Sequence, residues 1–256
     1  MDPQYLQAMM HGEIFQKKNE VTDPLGLAID KQIDSEVDAM ELEEDPTHKN
    51  MLSPKLRRKK IKMELKDAVR MDELSQLLES AVKLLMSEGP SYLSEKAYRL
   101  LVSEFSTIQH KIKNINLEQL NNVNMSSVVE ISDESLNAIA DVAAEKYSKE
   151  LYLDCLSLYT LLSVLNSEQS EYWFRLAIAA QKFGNLDLAT RAYTTAATLD
   201  PKHIGARLFA AECYIQRNLL TEAKAEFNAA EEIVRNNEIE KKWLDLLPLI
   251  KSLIQQ

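Results

Sequence analysis

Four positions in the second half of the chain recur at a fixed spacing, and that spacing restricts the fold more than any other feature. Ala177 returns as Ala211, Ala189 as Ala223, Tyr193 as Phe227 and Ala196 as Ala230, each 34 residues on. A period of this length belongs to a unit of two antiparallel helices. The alanines let the two helices approach closely, and the aromatic fills the gap beside their crossing.

One copy can be followed position by position. Trp173, Leu176, Ala177, Gly184, Ala189, Tyr193, Ala196 and Pro201 fall where a tetratricopeptide repeat places them. Gly184 with Asn185 makes the turn, where a left-handed residue is needed, and Pro201 after Asp200 stops the second helix. Counting back by the same period gives a degenerate copy. Val142, Ala143, Cys155, Tyr159 and Leu162 take its consensus positions, but Glu150 stands for the turn glycine and Ser167 for the proline. Repeats are therefore expected at 136–169, 170–203 and 204–237, and the repeat domain is bounded at about 132–235. Beyond it, residues 236–256 carry Trp243, Leu246, Leu247, Ile250 and Ile254 and are expected to form a capping helix, which Pro248 would kink or break if it lay inside.

The rest of the chain agrees with an all-α protein. Five glycines and seven prolines in 256 residues, with no sustained alternation of apolar and polar residues, leave little room for strands. Residues 1 to about 54 are acidic and poor in aromatics, and residues 1–60 are expected to be a mostly disordered tail. The acidic run Glu41 to Asp45 precedes a basic cluster, Lys55, Arg57, Arg58, Lys59, Lys60 and Lys62, read as a solvated helix entry that can pair with the acidic tail.

Residues 61–115 form a helical hairpin. Met71, Leu74, Leu78, Val82 and Leu85 stripe a first helix over about 64–86, and Gly89 and Pro90 are expected to break it. Ser91 is then placed to cap a second helix reaching Lys113, with Leu93, Ala97, Leu101, Phe105, Ile108 and Ile112 on one face. Neither stripe can be hidden within the hairpin alone, so it packs on the repeats, on a second copy as a homodimer, or on a partner. Residues 116–131, rich in Asn and Ser, read as a linker, and Ser132 caps the helix that follows.

Catalytic and cofactor chemistry would need parts that the sequence does not supply. His11, His48, His110 and His203 are scattered without metal-ligand spacing, and there is no glycine-rich phosphate loop or serine elbow, so no enzyme activity, metal or cofactor is expected. Cys155 and Cys213 fall at small-residue positions of the repeats and read as reduced core residues. A net charge of −10 disfavours nucleic acid and anionic membrane. The N-terminus lacks the pattern of a secretory signal, and no stretch approaches the roughly 20 apolar residues of a membrane span, so a cytoplasmic protein without direct membrane insertion is expected.

Arrays of this kind hold extended peptides against the first helices of successive repeats. On that face the register places Ala140, Ala144, Tyr147 and Ser148, then Phe174, Ile178, Gln181 and Lys182, then Leu208, Glu212, Ile215 and Gln216. This lining suits a hydrophobic segment. A clamp for a C-terminal carboxylate would need lysine and asparagine where Ala140 and Ala144 stand.

Three segments carry a more specific likeness: AAEKYSKELY around Tyr147 and Tyr152, QKFGNLDLA around Gly184, and LFAAECYIQRNLLTEAKAEF from Leu208 to Phe227. Through them the stretch 132–234 resembles the class II chaperones of bacterial type III secretion, the SycD/LcrH group. The resemblance implies a chaperone of the bacterial cytoplasm that holds hydrophobic translocator or effector proteins soluble before secretion, with an extended client segment in the groove. Tyr147 and Tyr152 match aromatics that line the groove in that family, whereas Ala140 and Ala144 replace larger aromatics. The hairpin and acidic tail are an extension the resemblance does not explain. They leave open a second reading, a general tetratricopeptide scaffold or secretion-apparatus component that binds through the hairpin.

Overall fold

A computed structural model of the chain describes residues 37–38, 54–113 and 130–255. The expected disorder of the tail falls almost wholly outside the described residues, as does the expected linker apart from its last two residues. Among the described residues the long elements are all helices: α1 (Pro54–Tyr92), α2 (Glu95–Lys113), α3 (Asp133–Ser148), α4 (Tyr152–Leu165), α5 (Ser170–Phe183), α6 (Leu186–Leu199), α7 (Ile204–Gln216), α8 (Leu220–Asn236) and α9 (Lys241–Ile254). Two compact units divide the chain, and residues 21–76 form one of them. Within it, Lys62 of the basic cluster pairs with Asp38 at 2.8 Å.

In the larger unit each helix from α3 to α8 packs on the next, and α9 packs on both α7 and α8. The repeat period sets this arrangement. Ala143, Ala177, Ala189, Ala211, Ala223 and Ala230 are completely buried where helices cross, and Tyr159, Tyr193 and Phe227 fill the adjoining gaps. The turn position is left-handed in every repeat: Gly184 has φ 96°, and its equivalents Glu150 and Asn218 both have φ 59°. Glu150 therefore keeps the turn of a glycine at the cost of a conformation that disfavours a Cβ.

Local signals fix the helix starts. Ser132 caps α3, its hydroxyl accepting from the Ser135 N–H at 3.2 Å, and Asp133 and Glu134 lie in the positive first turn. Asn185 caps α6 through the Leu188 N–H at 3.0 Å. The His203 Nδ1 accepts from the Ala206 N–H at 3.0 Å, which makes this histidine the cap of α7.

The hairpin differs from the sequence expectation at its turn. α1 does not break at Gly89 and Pro90 but runs on to Tyr92. Pro90 cannot donate to the carbonyl of Met86, four residues back, and the Tyr98 hydroxyl donates to that carbonyl instead, at 2.9 Å. Gly89 is buried against the same Tyr98 ring, which would lie 2.8 Å from an added Cβ. With the turn moved to residues 93–94, Ser94 rather than Ser91 caps α2, accepting from the Ala97 N–H at 3.2 Å. Ala81, Leu84, Leu85 and Leu101 of the hairpin join the same hydrophobic core as the repeats, and α2 packs on α3.

At the other end, α9 continues through Pro248. The proline and Leu244, whose carbonyl it leaves unbonded, both lie on the exposed side, where water can take the missing donor's place. The buried side carries Trp243, Leu246, Ile250 and Ile254. Trp243 packs so closely on α7 that a Cβ at Gly205 would meet its ring at 2.5 Å. Replacing glycine by alanine in a helix gains up to about 1 kcal/mol, while overpacking a core costs about 1–3 kcal/mol. Gly205→Ala is thus expected to lower the urea midpoint, and the same change in a Trp243→Leu background to leave or raise it. A stabilised Gly205→Ala single variant would contradict this packing.

Candidate peptide-binding groove

The inner face of the array is built by α3, α5 and α7, and the structure makes the predicted lining unequally accessible. Ala140, Ala144 and Tyr147 on α3, Tyr152 at the start of α4, Lys182 on α5 and Ile215 on α7 are half-buried. Phe174, Ile178, Leu208 and Glu212 are buried, at 2%, 5%, 0% and 2% exposure. Burial therefore varies along the expected lining: Phe174 and Ile178 of the second repeat and Leu208 and Glu212 of the third are withdrawn from the surface, while Lys182 and Ile215 are not. Phe174 turns into an aromatic stack, with ring centroids 4.4 Å from His203, 5.8 Å from Tyr193 and 6.0 Å from Phe209. Phe209 carries the stack on to Trp243 at 6.0 Å. In the first repeat Tyr147 and Tyr152 form an edge-on pair with centroids 5.5 Å apart, which leaves both rings half-buried beside the two alanines.

A polar network crosses from the second repeat to the third. The Tyr193 hydroxyl donates to Gln181 Oε1 at 2.8 Å, and Gln181 Nε2 donates to Glu212 Oε2 at 3.2 Å. Gln216 Nε2 donates to the other Glu212 oxygen at 3.0 Å. Burial pushes the Glu212 acid up to about 8, against the two amides and the Lys182 ammonium, which pull it down. Sequence reasoning placed Gln181, Glu212 and Gln216 on this face but did not foresee the network.

A second charged cluster was missed altogether. Lys146 is 2% exposed, and its ammonium meets Glu88 of α1 at 2.7 Å and Asp154 of α4 at 2.8 Å. It also lies 5.4 Å from the centre of the Tyr92 ring. Burial alone would lower the lysine's pKa, but the hydrogen bonds and charges of the two carboxylates outweigh it and hold the pKa above the usual range. A signal existed: Ile139, Val142, Ala143 and Lys146 follow helical spacing, so a lysine stands on an apolar stripe and needs partners there.

Cys155 and Cys213 are buried and free. Burial raises the Cys155 thiol to about 12, with Arg175 opposing and Asp154 adding to the shift, and raises Cys213 well above its usual value. Both are held as unreactive thiols. Among the described residues no group of three or more His, Cys, Asp or Glu is placed to hold a metal ion, and no helix is long and apolar enough to cross a membrane.

The buried acid makes stability depend on pH. Folded Glu212 keeps its proton to about pH 8, whereas the unfolded side chain loses it near 4.5. Its contribution is present in full below the lower value and is lost as pH rises toward the upper one. Urea unfolding across that window is expected to show a steeper loss of stability with pH for the native chain than for Glu212→Gln. Equal slopes would contradict the raised acid.

Comparison with known proteins places the array in context. A tetratricopeptide repeat model matches residues 180–240. The low calcium response locus protein H of Yersinia pestis is 30% identical over 105 residues, 41% of this chain and 62% of that protein. The chain thus spans less than two thirds of the curated relative it matches. The Yersinia enterocolitica type III secretion translocator chaperone SycD is 26% identical, covering 53% of this chain and 98% of SycD with a TM-score of 0.46. SycD in complex with a peptide of the translocator YopD is 28% identical, with coverages of 49% and 94% and a TM-score of 0.45. Residues 180–240 of this chain thus match a tetratricopeptide repeat, and 105 residues of it are similar to low calcium response locus protein H.

Proposed function

We propose that this chain is a cytoplasmic chaperone of a type III secretion system, holding an extended hydrophobic segment of a translocator or effector protein on the inner face of its repeats. The observation that carries the reading is the half-buried patch of the first repeat: Ala140, Ala144 and the Tyr147–Tyr152 pair, on the face that such arrays use for peptides. Small residues on the same face as two aromatic edges make an apolar patch, and the tyrosine hydroxyls suit a surface that is wet when empty. The sequence relation to low calcium response locus protein H supports the family. The client class is carried over from SycD, which has been solved with a translocator peptide. Holding a client requires no bond chemistry, so the proposed role is that of a binder rather than an enzyme.

The remaining lining joins this proposal with different roles. Tyr147, Tyr152, Ile215 and Lys182 are accessible enough to meet a client directly. Phe174, Ile178 and Leu208 shape the groove from beneath, because they are buried in its floor. Residues 77–113 close the outer end of the first repeat through Glu88 and Lys146. That favours a supporting role for the hairpin over a separate scaffold function.

Coexpression with membrane-inserting translocators is expected to yield a soluble, copurifying complex. Tyr147→Glu and Ile215→Glu should each reduce capture at least about tenfold while the helical circular dichroism stays unchanged, since a charge set against an apolar client is left without a partner. Failure to copurify any translocator would overturn the function. Loss of helicity in both variants would overturn the placement of these residues at the surface.

A further inference from the structure

The groove contains one group that a purely hydrophobic client does not explain. At equivalent register positions the three repeats carry Ala144, Ile178 and Glu212. The first two are apolar, and the third is a carboxyl group at 2% exposure. Burying a carboxyl is costly unless it is paired with a cation or stays neutral. Here both oxygens are held by neutral amides, from Gln181 and Gln216, and among the described residues no cation pairs with it. The two amides are not equivalent. Gln181 is fixed from behind by the Tyr193 hydroxyl at 2.8 Å, whereas Gln216 is exposed and bound only through its own amide, so it is the partner that a ligand can displace.

We propose that Glu212 reads the client: it receives a lysine or arginine side chain of the bound segment, which takes the place of the Gln216 amide and fixes the register of the segment along the groove. The inference rests on the chaperone reading and sharpens its substrate class, to a hydrophobic segment with one basic residue facing the third repeat. Charge complementarity selects the cation. A neutral donor would only replace one amide by another, but a cation brings a charge bonded directly to the carboxyl, in addition to the Lys182 ammonium, which acts on it through its charge alone, and charge-assisted hydrogen bonds are about twice as strong as neutral ones.

The proton balance follows. Without client, the acid is held up to about 8 by burial and is largely protonated at neutral pH. The groups facing it are Lys182 from α5, Tyr193 from α6 and the adjoining Cys213 thiol on α7, with Tyr147 of α3 acting on Tyr193. When an ammonium or guanidinium arrives, the O–H bond of the acid breaks, the carboxylate pairs with the cation, and the proton passes to solvent.

Isothermal calorimetry of the full chain tests this, using a leucine-rich synthetic peptide with a single lysine walked along its length and the same peptide with norleucine at each position. One lysine position is expected to bind about tenfold tighter than its norleucine counterpart. The same position should release about one proton near pH 7, read from the dependence of the heat on buffer ionisation enthalpy. In Glu212→Gln the lysine-to-norleucine ratio should fall to about one, with no proton released. A norleucine series that binds while no lysine position gains affinity or releases a proton would overturn this inference and leave the groove intact. A proton release that persists in Glu212→Gln would also overturn it. Absence of binding by every peptide would overturn the groove and the inference together.

Discussion

Close approach of helices at alanine crossings is the constraint on which the rest of the repeat domain depends. Ala143, Ala177, Ala189, Ala211, Ala223 and Ala230 are buried to zero exposure, and at such contacts one additional methylene forces either helix apart. Because the alanines return with the helix-pair period, every pair is brought together in the same way, and α3, α5 and α7 come to share one face. The aromatics Tyr159, Tyr193 and Phe227 are then drawn into the gaps beside the crossings. The shared face is a consequence of this spacing rather than of any residue that lines it.

Among the described residues, one basic and one acidic side chain, Lys146 and Glu212, interrupt this apolar interior, and they differ in a way that relates to function. Lys146 is saturated: two carboxylates on different helices meet its ammonium, so it acts as a tie between α1, α3 and α4. Its partners remain at 48% and 35% exposure, which keeps the cost of desolvating the cluster modest. Glu212 is held by two neutral amides that donate to its oxygens without bringing a countercharge into contact, and burial keeps it protonated against them. A structural tie gains nothing from such an arrangement, whereas a recognition group gains a response to charge.

What was legible in the sequence was local. Ser132 as a cap, the turn at Gly184 and its degenerate equivalent at Glu150, and the alanine and aromatic register all depend on residues within one helix pair. The misreadings arose where a distant residue decides the outcome. α1 continues past Pro90 because Tyr98, across the turn, supplies a donor to Met86. Lys146 is held by Glu88, 58 residues away in sequence. The groove was legible as a register but not as a surface. Periodicity assigns Phe174 and Leu208 to the inner face, and only the packing of His203, Tyr193 and Phe209 around Phe174 shows that this residue belongs to the floor.

The central claim is that the inner face of α3, α5 and α7 holds an extended client segment. Amide hydrogen exchange on the chain alone and on its copurified complex with a translocator tests it most directly. The account predicts added protection concentrated in α3, α5 and α7, strongest around Tyr147 and Ile215, with α9 unchanged. Protection confined to α1 and α2, or to α8 and α9, would contradict it.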